Sequence, residues 1–299
     1  MTNGALPVVE GFVVLDRLAD TSTAELFRAR RADGGPVVCL KRVRARYCLD
    51  EVFVAELAAV GSRAALLRHP NVVRVHGWSQ ADAGFLVVME LVEGPDLATL
   101  LRERGPLEPS VVAHVGASLA KALAYIHHRD GEREPLIHFD VTPHNALVDG
   151  SGAVKLSDFG LAKALGTTGA ATLTRERGKA GYLAPEQLEP GPVTAAVDLF
   201  ALGLILWQCL VGTHPYVERC PPGRALERWI PAQLSKNARR SVSEAAPTAP
   251  AGLCATIERL LQPVEARTSA PEEVVASLEP HVRSSSAASL GRLASEVVG

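Results

Sequence analysis

Residues 138–145 read His138-Phe139-Asp140-Val141-Thr142-Pro143-His144-Asn145, and Ser157-Asp158-Phe159-Gly160 follows a short distance on. Two acids and an amide are thereby offered from neighbouring stretches of chain. Toward the N-terminus, Val38-Cys39-Leu40-Lys41 forms a β-prone run that ends on a lysine. Toward the C-terminus come Gly178-Lys179-Ala180-Gly181-Tyr182-Leu183-Ala184-Pro185-Glu186-Gln187, then Asp198-Leu199-Phe200-Ala201-Leu202-Gly203, then Arg267. Each stretch alone is a weak signal, since Asp-Phe-Gly occurs by chance in many proteins. Their order and spacing carry the reading.

The surrounding chain supports a folded body. Of 299 residues, 47% are hydrophobic and 21% charged, enough for a sizeable core and too apolar for wholesale disorder. The net charge of −2 lacks the basic excess of a general nucleic-acid binder. No basic-then-apolar leader opens the sequence. The run Leu199 to Trp207 falls short of the ~20 residues a membrane helix needs. Five scattered cysteines fit a reducing, cytoplasmic setting and no zinc site. Only six of the 31 basic residues are lysine, so a lysine inside a motif is less readily chance surface charge.

Periodicity divides the chain. Phe12–Leu15, Glu25–Ala29, Pro36–Lys41, Val72–Gly77 and Phe85–Leu91 read as strands, and residues 50–68 as a helix ending near His69-Pro70. Beyond Gly94-Pro95, helical spacing recurs at 96–104, 110–128, 193–212, 224–234 and 252–262. The fold class is α+β: a small β-rich lobe with one main helix (10–89), a hinge (90–94) and a larger, mainly helical lobe (95–282). A leader (1–9) and a short, loosely held tail (283–299) flank them, and Ser241–Ala251 reads as a loop.

The ordered set resembles the eukaryotic-type (bacterial Hanks-type) Ser/Thr protein kinase family over roughly residues 10–282. The resemblance implies the bilobal protein-kinase fold and an ATP- and Mg²⁺-dependent reaction, with Mn²⁺ as a substitute metal. Phosphoryl transfer asks mainly for positioning and charge neutralisation. By resemblance, Lys41 holds the α/β-phosphates, Asp140 orients the acceptor hydroxyl and takes its proton, and Asn145 and Asp158 hold the metal through oxygen. Leu18, Leu26 and Cys39 lie above the adenine and Leu147 below it. Met89 stands at the gatekeeper position, Glu90, Leu91 and Val92 form the hinge, and Asp96 falls where the ribose is held. Lys41 pairs with a helix glutamate, Glu56 by its Phe53-Val54-Ala55-Glu56 context, with Glu51 as the alternative. Glu186 and Arg267 match a buried ion pair, and Asp198 matches a brace for the catalytic loop. His128-Arg129-Asp130 spells the family's triplet literally, but five residues after Asp130 comes Pro135, which cannot ligate metal, so Asp140 is selected.

Three departures stand out. The three glycines of the family's phosphate loop are replaced by Ala19, Thr21 and Ala24, which restrict φ, and Asp20 adds negative charge. Phe139 replaces the arginine that reads a phosphorylated activation loop, so activity need not await phosphorylation of Thr167, Thr168, Thr172 or Thr174. Thr142 replaces a lysine, while Lys179 stands where the family has a threonine. The pair is exchanged, and Lys179 either restores a positive charge beside Asp140 or faces solvent. The leading reading is a Ser/Thr protein kinase acting on a protein hydroxyl. The alternative is a pseudokinase scaffold with weak or no turnover. A small-molecule phosphotransferase fits poorly with Ala184-Pro185-Glu186 and Arg267. The sequence identifies neither the protein substrate nor the oligomeric state.

Overall fold

The computed structural model describes residues 6–7, 9–81, 84–128, 136–158, 179–188, 190–217, 220–221, 226–234 and 238–298. Two compact units divide the chain, which passes from the first to the second between Val92 and Glu93, with His69–Val72 belonging to the second.

The first unit is an antiparallel five-stranded sheet, β1 (Phe12–Asp20), β2 (Ala24–Arg31), β3 (Val37–Val43), β4 (Val75–Ala81) and β5 (Gly84–Glu90), in the order β1-β2-β3-β5-β4. Period-two alternation buries Phe27, Ala29, Val38 and Leu40 as a compact cluster. Helix α1 (Glu51–Ala64) packs on β4. Asp50 caps it by accepting the Val52 and Phe53 amides at 2.9 and 3.1 Å. β4 begins three residues later than the periodicity suggests, because Val72 pairs with Leu156 in the second unit instead.

The second unit is built around α3 (Pro109–His127), whose interior positions from Val111 to His127 are largely buried. By length and composition α3 is long and apolar enough to span a membrane, although polar residues interrupt its apolar run. Two thirds of its most apolar window is buried within the protein. The other helices of this unit are α2 (Leu97–Arg104), α4 (Ala196–Val211), α5 (Leu226–Leu234), α6 (Val242–Ala245), α7 (Ala251–Leu260), α8 (Pro271–Leu278) and α9 (Ser286–Val298), with the hairpin β6 (Ala146–Val148) and β7 (Val154–Leu156); α4, α8, α9 and β7 pack directly on α3. Gly94 enters this unit where a Cβ would collide with the Val148 carbonyl oxygen.

The tail expected to be loose is instead largely α9. Leu290 and Ala294 are fully buried, and the helix packs on α3 and α2. It also seats on the β6–β7 turn, where Gly152 (φ +83) lies so close to the Ala287 carbonyl that a side chain would overlap it. A short Ser/Ala-rich stretch reads as disordered by composition, but its buried positions 286, 290 and 294 repeat at helical spacing. The loop expected over Ser241–Ala251 contains α6, closed by a Ser241–Glu244 capping box.

Candidate active site

The segment His138–Asn145 has little regular structure, so side chains must hold it. Asp198, near the start of α4 and 1% exposed, does most of this. Its Oδ2 accepts the His138 amide at 2.8 Å and its Oδ1 the Phe139 amide at 2.9 Å. His127, the last residue of α3, brings Nε2 to Oδ2 at 2.9 Å. Phe139 consequently sits at φ 63°, a left-handed conformation that a bulky residue adopts only when held there. The brace expected of Asp198 is present, and His127 is a further partner that sequence reasoning did not find.

His138 is fully buried and its tautomer follows from its partners. Its Nε2 faces the Ser157 carbonyl at 2.9 Å and must donate, while its Nδ1 accepts the Asp140 amide at 3.2 Å. The ring is therefore neutral in this network. Burial is the main reason its pKa falls below the ordinary histidine value, against the upward pull of the nearby Asp198 and Asp140 charges. One imidazole thus couples the backbone of Asp140 to that of the residue preceding Asp158.

Asp140 is 6% exposed and Asn145 4%. Asn145 donates Nδ2 to the Asp140 carbonyl at 2.7 Å, and its own carbonyl accepts the Ser157 amide at 2.8 Å and hydroxyl at 3.1 Å. With Nδ2 committed, the amide oxygen is the atom Asn145 has left for a cation. Asp158, beyond β7, is held at φ 66°. An amide oxygen and a carboxylate suit a hard divalent ion such as Mg²⁺, which keeps waters and phosphate oxygens as its other ligands. No group of three His, Cys, Asp or Glu side chains gathers as a metal cage among the described residues.

The residues predicted to surround a nucleotide fall in both units. In the first, Lys41 lies on β3, 7% exposed, opposite Leu26 of β2 and Val87 of β5. Cys39 pairs across from Met89, and both are buried. Leu18, on β1, is 39% exposed, and Leu26 is half-buried. Glu90 ends β5, donates its amide to the Arg74 carbonyl at 2.9 Å and accepts the Arg74 amide on Oε2 at 3.2 Å. Val92 closes this unit. Glu56 is half-buried on α1, whereas Glu51 is exposed at its first turn.

In the second unit Leu147 lies on β6, bridged to Asp96. Asp96 caps α2, accepting the Thr99 amide at 2.6 Å, and its Oδ2 meets His144 Nδ1 at 3.2 Å. Burial, the largest single effect, pushes its pKa up. The hydrogen bonds from His144 and Thr99 together outweigh this and hold it below the usual carboxylate value.

Lys179 opens a 3₁₀ turn, Lys179–Tyr182, and its side chain lies outside the described residues. So do Phe159, Gly160, Asp130 and Thr167, Thr168, Thr172 and Thr174. Next to that turn, a small cavity is lined by Asp140, Thr142, Tyr182, Leu183 and Asp198, among others. Thr142 is buried, and its hydroxyl has no hydrogen-bond partner among the described residues. The ion pair expected beyond it is present: Arg267 Nη1 and Nη2 reach Glu186 Oε1 and Oε2 at 2.6 and 3.2 Å. His214 donates Nε2–H to the Gly181 carbonyl at 2.8 Å, a buttress of the 179–182 turn that had no sequence signal.

Comparison with known proteins bears on the fold and the family. The chain is 33% identical over 179 residues to the serine/threonine-protein kinase PrkC of Bacillus subtilis, covering 60% of this chain and 27% of that protein. It is 32% identical over 270 residues to PkaA of Streptomyces coelicolor, also a serine/threonine-protein kinase, covering 86% of this chain and 47% of that protein. The chain therefore spans about a quarter to a half of these curated relatives. The kinase domain of Mycobacterium tuberculosis PknI shares the fold, with a TM-score of 0.70 at 22% identity, covering 93% of this chain and 100% of that one. The sequence model of the protein kinase domain matches residues 12–267, and with most of its length so matched, this chain belongs to the protein kinase domain family.

Proposed function

We propose that this protein is a Ser/Thr protein kinase that transfers the γ-phosphoryl group of ATP to a hydroxyl of a protein substrate. The observation that carries the reading is the interlocked group of Asp140, Asn145 and Ser157. It orders a buried carboxylate, an amide oxygen and the approach to Asp158 through backbone bonds to His138 and Asp198. Kinase relatives from several bacteria support it.

In this reading Asp140 orients the acceptor hydroxyl and receives its proton, and Lys41 binds the α/β-phosphates, paired with Glu56. Leu18, Leu26, Cys39, Met89 and Leu147 supply apolar surface for adenine, Glu90 and Val92 its backbone contacts, and Asp96 a contact to ribose. Asn145 and Asp158 would hold Mg²⁺, or Mn²⁺ in its place, which when bound neutralises charge on the phosphates. Little covalent chemistry is left for the protein, so the rate depends on how firmly these groups are placed. Lys179 supplies positive charge beside Asp140. Its support is the exchange with Thr142, which is buried, lines the same small cavity as Asp140 and has no hydrogen-bond partner for its hydroxyl among the described residues. A cytoplasmic setting and a role in signalling follow from a reaction that consumes ATP and modifies proteins.

The test is phosphate transfer from labelled ATP to a generic basic protein by wild type and Asp140→Asn. Transfer by wild type and its loss in a folded variant are expected. Equal transfer by the variant overturns the assignment of Asp140. No transfer by either, with no nucleotide-induced rise in melting temperature, favours a scaffold.

A further inference from the structure

The turn joining β1 to β2 occupies the place of the family's glycine-rich loop, and its hydrogen bonds can be accounted for almost completely. The Thr21 amide donates to the Ala24 carbonyl at 2.9 Å. Thr21 Oγ1 then accepts the Ala24 amide at 3.1 Å and, at a longer 3.4 Å, the Thr23 amide, while donating back to the Ala24 carbonyl at 2.9 Å. The carbonyls are taken as well. Arg44 Nε holds that of Thr21 at 2.9 Å, the Arg44 amide holds that of Thr23 at 2.8 Å, and Arg46 holds that of Ser22. Arg44 also pairs with the Asp20 carboxylate, which Arg17 meets from the other side at 3.3 Å.

A loop that wraps phosphate does so with free backbone N–H groups. Here a threonine hydroxyl has captured two of them and a carbonyl a third, a local side-chain bond competing with a ligand for the same donors. The arginines fasten the carbonyl side, so the turn cannot simply rotate its amides outward.

We propose that Thr21 is a specificity-determining residue that closes the β1–β2 turn to phosphate, so that this protein binds ATP without the loop-amide contacts that the turn's place in the fold would otherwise provide. The proposal rests on the nucleotide reading above. Phosphate recognition in the first unit then falls to Lys41, and discrimination between ATP and adenosine is weaker than the fold could deliver. Removing the hydroxyl releases the Thr23 and Ala24 amides. Glycine at 21 also restores the conformational freedom they need to turn toward a ligand.

The experiment is calorimetric titration of wild type, Thr21→Gly and Thr21→Ser with Mg-ATP and, separately, with adenosine. Thr21→Gly is expected to bind Mg-ATP about tenfold more tightly than wild type, the order of a gained hydrogen bond to a charged group. Thr21→Ser, which keeps the hydroxyl, should match wild type, and adenosine should bind all three equally. Unchanged or weaker Mg-ATP binding by Thr21→Gly, beside normal adenosine binding, overturns the role of Thr21 and leaves the nucleotide reading standing. An equal gain for adenosine also overturns it, since the effect would then lie outside the phosphates. If none of the three binds adenosine or Mg-ATP, the nucleotide reading fails and this inference with it.

Discussion

His138 gives its Nε2 hydrogen to the Ser157 carbonyl and takes the Asp140 amide on Nδ1, so one buried ring sets the spacing between the two acidic stretches of the site. His138→Leu keeps the apolar volume but strands a buried carbonyl and a buried amide. The expected cost is about 1–3 kcal/mol per orphaned group, read as a lower melting temperature. Transfer should fall mainly in kcat, because Asp140 and Asp158 lose their common reference while the adenine contacts are untouched. A variant with normal kcat and a raised KM for ATP would assign His138 to nucleotide binding instead.

Arg267 and Glu186 form the second fixed point. The guanidinium is fully buried, forks onto both Glu186 oxygens, and also donates to the carbonyls of Ala196 and Gln262. It lies over the Phe200 ring at 4.7 Å. Glu186→Ala leaves this charge buried without its anion, and the expected loss is about 3–5 kcal/mol. Arg267→Lys should also destabilise, since an ammonium cannot serve four acceptors in one plane. Chemical denaturation of both variants checks this, and a loss under 1 kcal/mol for Glu186→Ala would show that the pair is dispensable.

His214 predicts acid sensitivity. Burial pulls its pKa from 6.5 down to about 4, with the Gly181 carbonyl resisting. The unfolded chain therefore takes up a proton near pH 6.5 and the folded protein only near pH 4. Between these values the unfolded state binds more protons, so stability falls as pH falls. Through this residue the fall totals roughly 3 kcal/mol, at 1.36 kcal/mol per pKa unit. His214→Gln removes that contribution, and its melting temperature should vary less between pH 7 and pH 4 than that of wild type. Equal slopes would show that His214 remains neutral or charged in both states across that range.

Under the proposed function, much of this site is legible because phosphoryl transfer restricts residue type. Lys41, Asp140, Asn145 and Asp158 stand at readable spacing, and Glu186, Asp198 and Arg267 follow in order. The strands of the first unit are legible from period-two alternation. His127 was not, because a histidine on a buried helix face carries no mark of what it meets 71 residues later. Helix α9 was missed for a related reason: its composition is that of a linker, and only the Gly152–Ala287 approach and the buried Leu290 make it part of the core. The replaced glycines at 19, 21 and 24 were visible as an anomaly, but the capture of amides by Thr21 needed coordinates.

The exchange of Thr142 and Lys179 yields a prediction by double-mutant cycle. Thr142 is 2% exposed, and among the described residues its hydroxyl lacks a partner beside a cavity that Asp140 also lines. A buried hydroxyl left unpaired costs about 1–3 kcal/mol, so something polar is needed there to offset it. If the Lys179 ammonium fills this role, Lys179→Thr should lower kcat strongly. Thr142→Lys alone should also lower it, by crowding two cations. The double variant, which restores one lysine and one threonine on opposite sides, should recover most of the loss, with a coupling of about 1–3 kcal/mol in transition-state free energy. Additive losses would place Lys179 in solvent and leave the charge beside Asp140 to another group.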